Sequence, residues 1–198
     1  MIMPPPSNGA DDMDLDDVLP TPDHVTRQSR WINASPEVVW NALHEVRLTG
    51  LPVTLVLSGI RFLPVLLAGG GRGHLHDRPF IDALPVPLLS SSPPESVVFG
   101  GALQAWRLTG GARPPTLDAD GLRGWSEPGW VKAAMDFRLT PRGNSTELSS
   151  ETRVVSTDDG TRRRFSLYWL FVQPGSTAIR WEVLTAVQLK AEAGARSN

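Results

Sequence analysis

Residues 146–179 read TELSSETRVVSTDDGTRRRFSLYWLFVQPGSTAI, and this stretch decides the fold. Its first part, Glu147 to Val155, has the composition of a polar-edged strand. Asp158 or Asp159 can then cap a helix that continues from Gly160, because a carboxylate accepts hydrogen bonds from the free N–H groups of a first helical turn. The stretch therefore predicts a strand that is followed directly by a helix.

The predicted helix is long, and a proline interrupts it. Its inward positions are Phe165, Tyr168, Trp169 and Val172 before the proline, and Ile179, Val183, Ala186 and Val187 after it. Pro174 removes a backbone donor and crowds the preceding turn, whereas Ser176 can cap a new segment. We therefore expect a C-terminal helix that is kinked or broken near Pro174.

A second strand precedes this stretch and is predicted to form a hairpin with it. Trp130 to Leu139 alternates between an apolar face, which includes Met135 and Phe137, and a wet face. The predicted neighbours are Phe137 with Leu148, Met135 with Ser150, Ala133 with Thr152 and, on the outer face, Arg138 with Glu147. The inner face then mixes apolar groups with hydroxyls, which is typical of a partly hydrated cavity.

The remaining elements follow from shorter patterns. Predicted strands cover His24–Asn33, Ala83–Ser91 and Glu95–Leu108, with a bulge or bend at Gly100-Gly101, and residues 117–125 are predicted irregular with one helical turn. Ser35-Pro36 begins a first short helix, with Ser35 as its cap. Pro52 begins a second one, which we expect Pro64 to end.

Composition limits the class of protein. The charge is −2 and the 198 residues contain no cysteine, which excludes disulfides and thiolate sites and favours a reducing, cytoplasmic location. No basic face favours nucleic acid. We expect residues 1–22 to be a disordered acidic, proline-rich tail, because its carboxylates repel one another, residues 23–193 to form one domain, and residues 194–198 to be a second tail.

Three stretches give only weak indications of a binding site. The glycine-rich loop 69–73 lacks the Lys and Ser or Thr of a phosphate-binding loop. His74, His76 and Asp77 lack fixed third and fourth ligands for a metal. No cofactor or metal is therefore predicted. The arginines 162–164 oppose the dipole at the start of the helix, which favours a surface salt-bridge cluster with Asp158, Asp159 or Glu151, or else a bound anion.

Two motifs give the chain a resemblance to a known superfamily. Ala34-Ser35-Pro36-Glu37-Val38-Val39-Trp40 is similar to the Ser-Pro-x-x-Val-Trp entry to the first helix of START-like, or SRPBCC, proteins. Residues 150–154, Asp158, residues 163–169 and residues 175–180 resemble an uncharacterised bacterial branch of that superfamily. The resemblance implies an α+β helix-grip fold, in which a curved antiparallel sheet wraps a long C-terminal helix, with two short helices after the first strand and an apolar cavity between.

The expected function is binding of a small hydrophobic or amphipathic ligand, lipid- or polyketide-like, between sheet and helix. The candidate ligand-binding residues are Phe62, Trp106, Met135, Phe137, Ser150, Thr152, Phe165, Tyr168 and Trp169. One alternative is a cyclase or aromatase, for which Glu151, Arg153 and Tyr168 are the only acid–base set. The other is a non-catalytic protein that uses residues 51–68 for a homodimer or peripheral membrane contact, since this segment is too interrupted to span a membrane.

Overall fold

The computed structural model describes residues 13–67, 77–107 and 115–196, with the backbone alone for 60–67. Its helices are α1 (Leu15–Val18), α2 (Pro36–Glu45), α3 (Pro52–Leu67), α4 (Ala119–Gly124) and α5 (Asp159–Arg196), and its strands are β1 (His24–Ile32), β2 (Leu88–Ser92), β3 (Ser96–Leu103), β4 (Val131–Arg142) and β5 (Ser145–Ser156). Short 3-10 helices cover Leu48–Gly50 and Ile81–Ala83.

The strands form one antiparallel sheet in the order β1-β5-β4-β3-β2, with β1 at an edge as its pattern predicted. Helix α5 lies across one face of the sheet, which we call the inner face. Val183, Leu184 and Val187 of α5 share a core there with Phe137, Leu148 and residues of α2. The predicted α+β helix-grip architecture is thereby confirmed.

The central hairpin has a different register from the predicted one. Leu139 pairs with Leu148, and Met135 pairs with Thr152, two residues away from the expected partners. The cause is a tight two-residue loop, in which Gly143 adopts a φ of +62° that a residue with a side chain rarely takes. Because side chains alternate with a period of two, this shift leaves every side chain on its predicted face.

The outer face of the sheet is covered, although we expected it to be wet. Helices α1 and α4 bring Leu15, Val18, Leu19 and Leu122 against Val98, Ala102, Trp130 and Ala134. Asp136 is buried as well. Residues 13–22 therefore differ from the predicted disordered tail. Their apolar side chains, Leu15, Val18 and Leu19, pack on the outer side of β3 and β4. Residues 1–12 lie outside the described residues.

This packing predicts that the N-terminal segment contributes to stability. Leu19→Ala should lower the free energy of unfolding by about 2 to 4 kcal/mol, since Leu19 is buried and its loss leaves a cavity. Leu167→Ala is the matched control, because Leu167 is exposed and should tolerate truncation. Urea denaturation of both variants measures the difference. Equal stabilities would mean that residues 13–19 are not packed in solution.

Helix α5 runs from Asp159 to Arg196 without interruption, so the break considered at Pro174 does not occur. Proline inside a helix removes one hydrogen bond and crowds the carbonyl four residues earlier. Around the proline, Leu170 and Phe171 are exposed. The long contact of α5 with the sheet and α2 stabilises the helix on both sides of Pro174 and outweighs the local penalty.

Replacement of this proline provides a second prediction. Pro174→Ala should raise the free energy of unfolding by up to about 3 kcal/mol, because the residue regains a backbone donor inside the helix. Pro36→Ala is the control, since Pro36 occupies the first turn of α2, where no donor is needed. Thermal and urea unfolding report both changes. A destabilised Pro174→Ala protein would show that the proline makes a contribution beyond the helix backbone.

Several predicted boundaries also differ. Helix α3 continues through Pro64 to Leu67, and its first turn is capped by Glu182 of α5, whose carboxylate accepts hydrogen bonds from the N–H groups of Val53 and Thr54. Helix α2 begins at Pro36 as expected, but the Ser35 side chain makes no capping hydrogen bond. Helix α4 supplies the predicted helical turn.

The two strands predicted at Ala83–Ser91 and Glu95–Leu108 are shorter in the structure. Their irregularity lies between Leu88 and Ser90 of β2, not at Gly100-Gly101, where pairing with β4 is continuous. At Gly100 an added Cβ would lie 2.7 Å from Leu89 Cδ1, so a residue with a side chain there would force the Leu89 side chain to move. Within the described residues, no helix is both long and apolar enough to cross a bilayer.

Candidate functional site

The eight predicted ligand-binding residues that have described side chains do not lie together in one cluster. Phe137 belongs to the closed core beneath α2, and Met135 packs at its margin. Phe165, Tyr168, Trp169 and Trp106 form a separate cluster with Val131 and Val154. Ser150 and Thr152 lie between these two groups on β5, and the side chain of Phe62 lies outside the described residues.

The aromatic cluster is packed mainly on itself. The buried Phe165 ring stacks on Trp169 at 5.6 Å and meets the edge of Trp106 at 6.4 Å. Its centroid also lies 5.7 Å from Tyr168, and His24 of β1 closes the group at 5.5 Å from Phe165. These distances are those of favourable aromatic pairs. The cluster therefore anchors the first turns of α5 to β1, β4 and β5, and Phe165 has no free face for a ligand.

A buried arginine occupies the inner face between the two apolar groups. Arg180 of α5 is only 6% exposed. Its Nη1 donates to Thr26 Oγ1 at 2.8 Å and its Nη2 donates to Thr152 Oγ1 at 2.6 Å. Thr26 and Thr152 are paired across β1 and β5, so two neighbouring strands hold the guanidinium. The predicted inward orientation of Thr152 is correct, but its partner was not anticipated.

The sequence analysis did not single out Arg180, which is the last residue of the stretch 175–180 that resembles the bacterial branch. Its spacing from the inward Val183 and Val187, three and seven residues along the helix, places it on the same stripe. An arginine at that position is the signal that could have found it. The expectation that the inward positions of the helix are all apolar left Arg180 out of the predicted site.

The polar atoms next to Arg180 are incompletely paired. Among the described residues, the buried atoms Ser150 Oγ, Gln28 Oε1 and Arg180 Nε have no hydrogen-bond partner. Gln28 and Ser150 pair across β1 and β5, in the row next to that of Thr26 and Thr152. Buried polar atoms are nearly always hydrogen-bonded in proteins. Three unpartnered atoms on neighbouring rows make this part of the inner face a candidate site.

Burial dominates the electrostatics of this region. It lowers the pKa of Arg180, and the charges of Asp136 and Glu151 act in the opposite direction. Burial also raises the pKa of Asp136, against the effect of the hydrogen bond that its carboxylate accepts from the Glu151 N–H. Asp136 and Glu151 project towards the outer face, so the sheet separates both carboxylates from the guanidinium.

Glu151 and Arg153, two of the three predicted acid–base residues, form an ion-pair network on the outer face, whereas Tyr168, the third, packs in the aromatic cluster. Arg153 Nε donates to Glu151 Oε1 at 2.6 Å, and its Nη1 donates to Asp16 Oδ1 at 2.5 Å and to the Leu19 carbonyl. This network fastens α1 to β5. Strand parity predicted that these charges lie opposite Ser150 and Thr152, and the pairing confirms it. The set therefore does not converge on the inner face, where a cyclase would need it.

The start of α5 is held by Asp158, one of the two predicted caps. Its carboxylate accepts hydrogen bonds from the Thr161 N–H at 2.9 Å, from Thr161 Oγ1 and from the Gly129 N–H. These bonds hold the pKa of Asp158 far below its usual range. Arg162 pairs with Asp23 and Asp159, as expected for a surface salt-bridge cluster, while Arg163 and Arg164 are exposed.

A pocket of about 350 Å³ lies beside the predicted site, and its described lining includes none of the eight predicted residues that have described side chains. The residues that line it are mostly apolar, namely Ile81, Leu84, Pro85, Val86, Pro87, Leu88 and Phe99, with Asp82 as the charged member, but polar atoms make up more than half of the lining surface. Phe99 pairs with Met135, and Met135 pairs with Thr152. Phe99 faces the inner side of β3, so the pocket lies towards the β2 edge of the sheet, and two strand spacings separate Phe99 from Thr152.

The described residues contain no group of three His, Asp or Glu side chains that could hold a metal ion. Loop 69–73, His74 and His76 lie outside the described residues. Asp77 is engaged by Arg47, whose Nε donates to its carboxylate at 2.7 Å, and by the Thr49 hydroxyl.

Solved structures resemble this chain over most of its length. Protein MLL2253 from Mesorhizobium loti is 14% identical, with a TM-score of 0.37 over 83% of this chain and 96% of that chain. Protein CV1439 from Chromobacterium violaceum is 13% identical, with a TM-score of 0.35 over 85% and 97%. CalU16 from Micromonospora echinospora is 15% identical, with a TM-score of 0.27 over 87% and 85%.

No protein-family model and no curated protein sequence matches the chain. At TM-scores this low, the fold assignment rests on the chain's own features. These are the β1-β5-β4-β3-β2 order of an antiparallel sheet and the 38-residue helix across it. The arrangement is the helix-grip fold of START-like proteins.

Proposed function

We propose that this protein binds a small hydrophobic or amphipathic molecule on the inner face of the sheet, between α5 and residues 81–88. The observation that carries the proposal is the pocket of about 350 Å³ around Phe99, which is lined mostly by apolar residues together with Asp82. Small-molecule sites begin at about 300 Å³ and are mainly apolar with a few polar groups. A cytoplasmic location, which the lack of cysteine favours, is part of the proposal.

The row of side chains beside the pocket supports the same location. Met135, next to Phe99, is half-buried although it faces inward, and so is Ala133, two residues earlier on β4. In contrast, Phe137 and Leu148 at the α2 end are fully buried. Apolar side chains on an inner face normally reach full burial when a core closes over them. The accessible side chains of β4 favour a ligand-sized opening at this end.

Filling the pocket tests the proposal. Val86→Trp adds an indole to the lining, and should weaken binding of N-phenyl-1-naphthylamine, a neutral apolar probe whose fluorescence rises on binding, by tenfold or more. Val56→Trp is the matched control, because Val56 is an exposed valine on α3 and lines no part of the pocket. Fluorescence titration of the full-length chain gives both affinities. Absence of saturable binding to the wild type, or equal loss in both variants, would contradict the proposal.

A second candidate, contact with an anionic membrane surface, rests on the exposed side of α5. Leu167, Leu170 and Phe171 are 67%, 67% and 81% exposed. They follow Arg163 and Arg164 at helical spacing, and these arginines form no ion pair with the described residues. Apolar side chains beside cations are typical of a helix that binds an anionic bilayer. This surface differs from the one expected at residues 51–68, of which only residues 51–59 have described side chains, with Val53 and Val56 exposed.

Liposome sedimentation tests this candidate. The wild type should bind vesicles that contain phosphatidylserine more strongly than vesicles of phosphatidylcholine alone, and Leu170→Ser with Phe171→Ser should abolish the binding. Leu189→Ser is the control, because Leu189 is equally exposed but lies far along α5 from the arginines. Light scattering identifies the competing outcome. A dimer that the double variant dissociates would replace membrane contact by self-association, and a monomer indifferent to both vesicles would exclude both.

A further inference from the structure

Arg180 carries a positive charge in the interior, and no anion among the described residues forms an ion pair with it. Its two described hydrogen-bond acceptors, Thr26 and Thr152, are uncharged hydroxyls. A guanidinium has five N–H donors, of which these bonds use two, and Nε has no acceptor in the described part of the chain. An isolated buried charge is costly unless it is paired and hydrogen-bonded.

The carboxylates that act on Arg180 from a distance, Asp136 and Glu151, are bonded to other groups. Asp136 accepts a hydrogen bond from the Glu151 N–H at 2.8 Å. Glu151 pairs with Arg153 and, at 3.8 Å, with Arg27. Both carboxylates project to the outer face, on the other side of the sheet from Arg180. They attract the guanidinium from a distance, but neither forms an ion pair with it.

The surroundings of Arg180 match one end of an amphipathic molecule. Ser150 Oγ, buried and unpartnered, offers a donor in the row next to Thr152. Gln28 Oε1, also unpartnered, offers an acceptor to a bound water or a ligand hydroxyl, while its Nε2 donates to the Thr177 carbonyl. On the other side of Thr152, Met135 and Phe99 follow in consecutive cross-strand pairs. Two strand spacings of about 4.8 Å separate Thr152, which accepts a hydrogen bond from the guanidinium, from Phe99 in the pocket wall by roughly 10 Å across the sheet.

We propose that Arg180 binds the carboxylate of an amphipathic ligand, with the Ser150 hydroxyl as a second donor and the ligand's apolar part extending past Met135 into the Phe99 pocket. This rests on the proposed ligand-binding function and names its chemical class. The planar fork of a guanidinium matches a carboxylate in two parallel hydrogen bonds. The bound carboxylate neutralises the buried charge and satisfies Nε, and this gives acids an advantage over neutral analogues of the same length.

The experiment compares an acid and an alcohol of one chain length on the full-length protein. Decanoate and 1-decanol each displace N-phenyl-1-naphthylamine, and the wild type should bind decanoate at least tenfold more tightly. Arg180→Met keeps the volume of the side chain and removes its charge. It should weaken decanoate binding at least tenfold and leave 1-decanol binding unchanged. Arg30→Met is the control, because Arg30 also lies on the inner side of β1 but is held by Gln188 and the Trp181 ring.

The outcomes separate the two proposals. Equal affinity for acid and alcohol in the wild type, or an acid preference that survives in Arg180→Met, overturns the role of Arg180 and leaves the ligand-binding function standing. If the wild type does not bind the neutral probe, the ligand-binding function fails, and the inference fails with it. Should Arg180→Met not fold, Ser150→Ala and Arg180→Lys take its place, and both must reduce the preference for decanoate. The wild-type comparison of acid with alcohol needs no variant.

Discussion

The β4–β5 hairpin is the constraint on which the rest of the structure depends. Its two-residue loop, with Gly143 at a φ of +62°, sets the register of two 12-residue strands at the centre of the sheet. Each side chain of these strands is thereby committed to one face. The hairpin also fixes where α5 begins. Asp158, two residues after β5, caps the helix, and its carboxylate also accepts a hydrogen bond from the N–H of Gly129, just before β4. Asp158 therefore ties the end of the sheet to the start of the long helix through hydrogen bonds to both.

The two faces of this hairpin have opposite chemistry. On the outer face Arg153 meets Glu151 and Asp16, and apolar residues of α1 and α4 cover the sheet. The Arg153 charges there are paired with anions, although the Trp125 indole N–H of this face has no partner among the described residues. On the inner face the described partners of Arg180 are hydroxyls, and unpartnered polar atoms lie on β1 and β5 beside it. A charged group that is paired with an opposite charge is typical of a structural role, whereas a buried charge held only by hydroxyls leaves room for a ligand to pair with it. The asymmetry directs the search for function to the inner face.

Structural features that depend on a few neighbouring residues were correctly predicted from the sequence. The period of two assigned Thr152 and Glu151 to opposite faces, and the helix starts at Pro36 and Pro52 follow from the fixed φ of proline. Asp158 was identified as a cap by its position after a strand. The predicted helix ends were wrong at Pro64, and the break considered at Pro174 was absent, because a local penalty was weighed without the tertiary contacts that oppose it. The hairpin register was off by two, since loop length cannot be inferred from apolar alternation alone.

The candidate site could be predicted only in part. Met135, Ser150 and Thr152 were placed on the correct face, yet the aromatic residues grouped with them pack together at the start of α5. The sequence by itself determined the elements, their inward stripes and the helix-grip order, because these depend on local backbone preferences and periodicity. Only the tertiary structure decided that Asp16 closes on Arg153, 137 residues away, and that Arg180 lies between Thr26 and Thr152 without an anion. Such contacts depend on which distant segments meet, and no local pattern of residues encodes that.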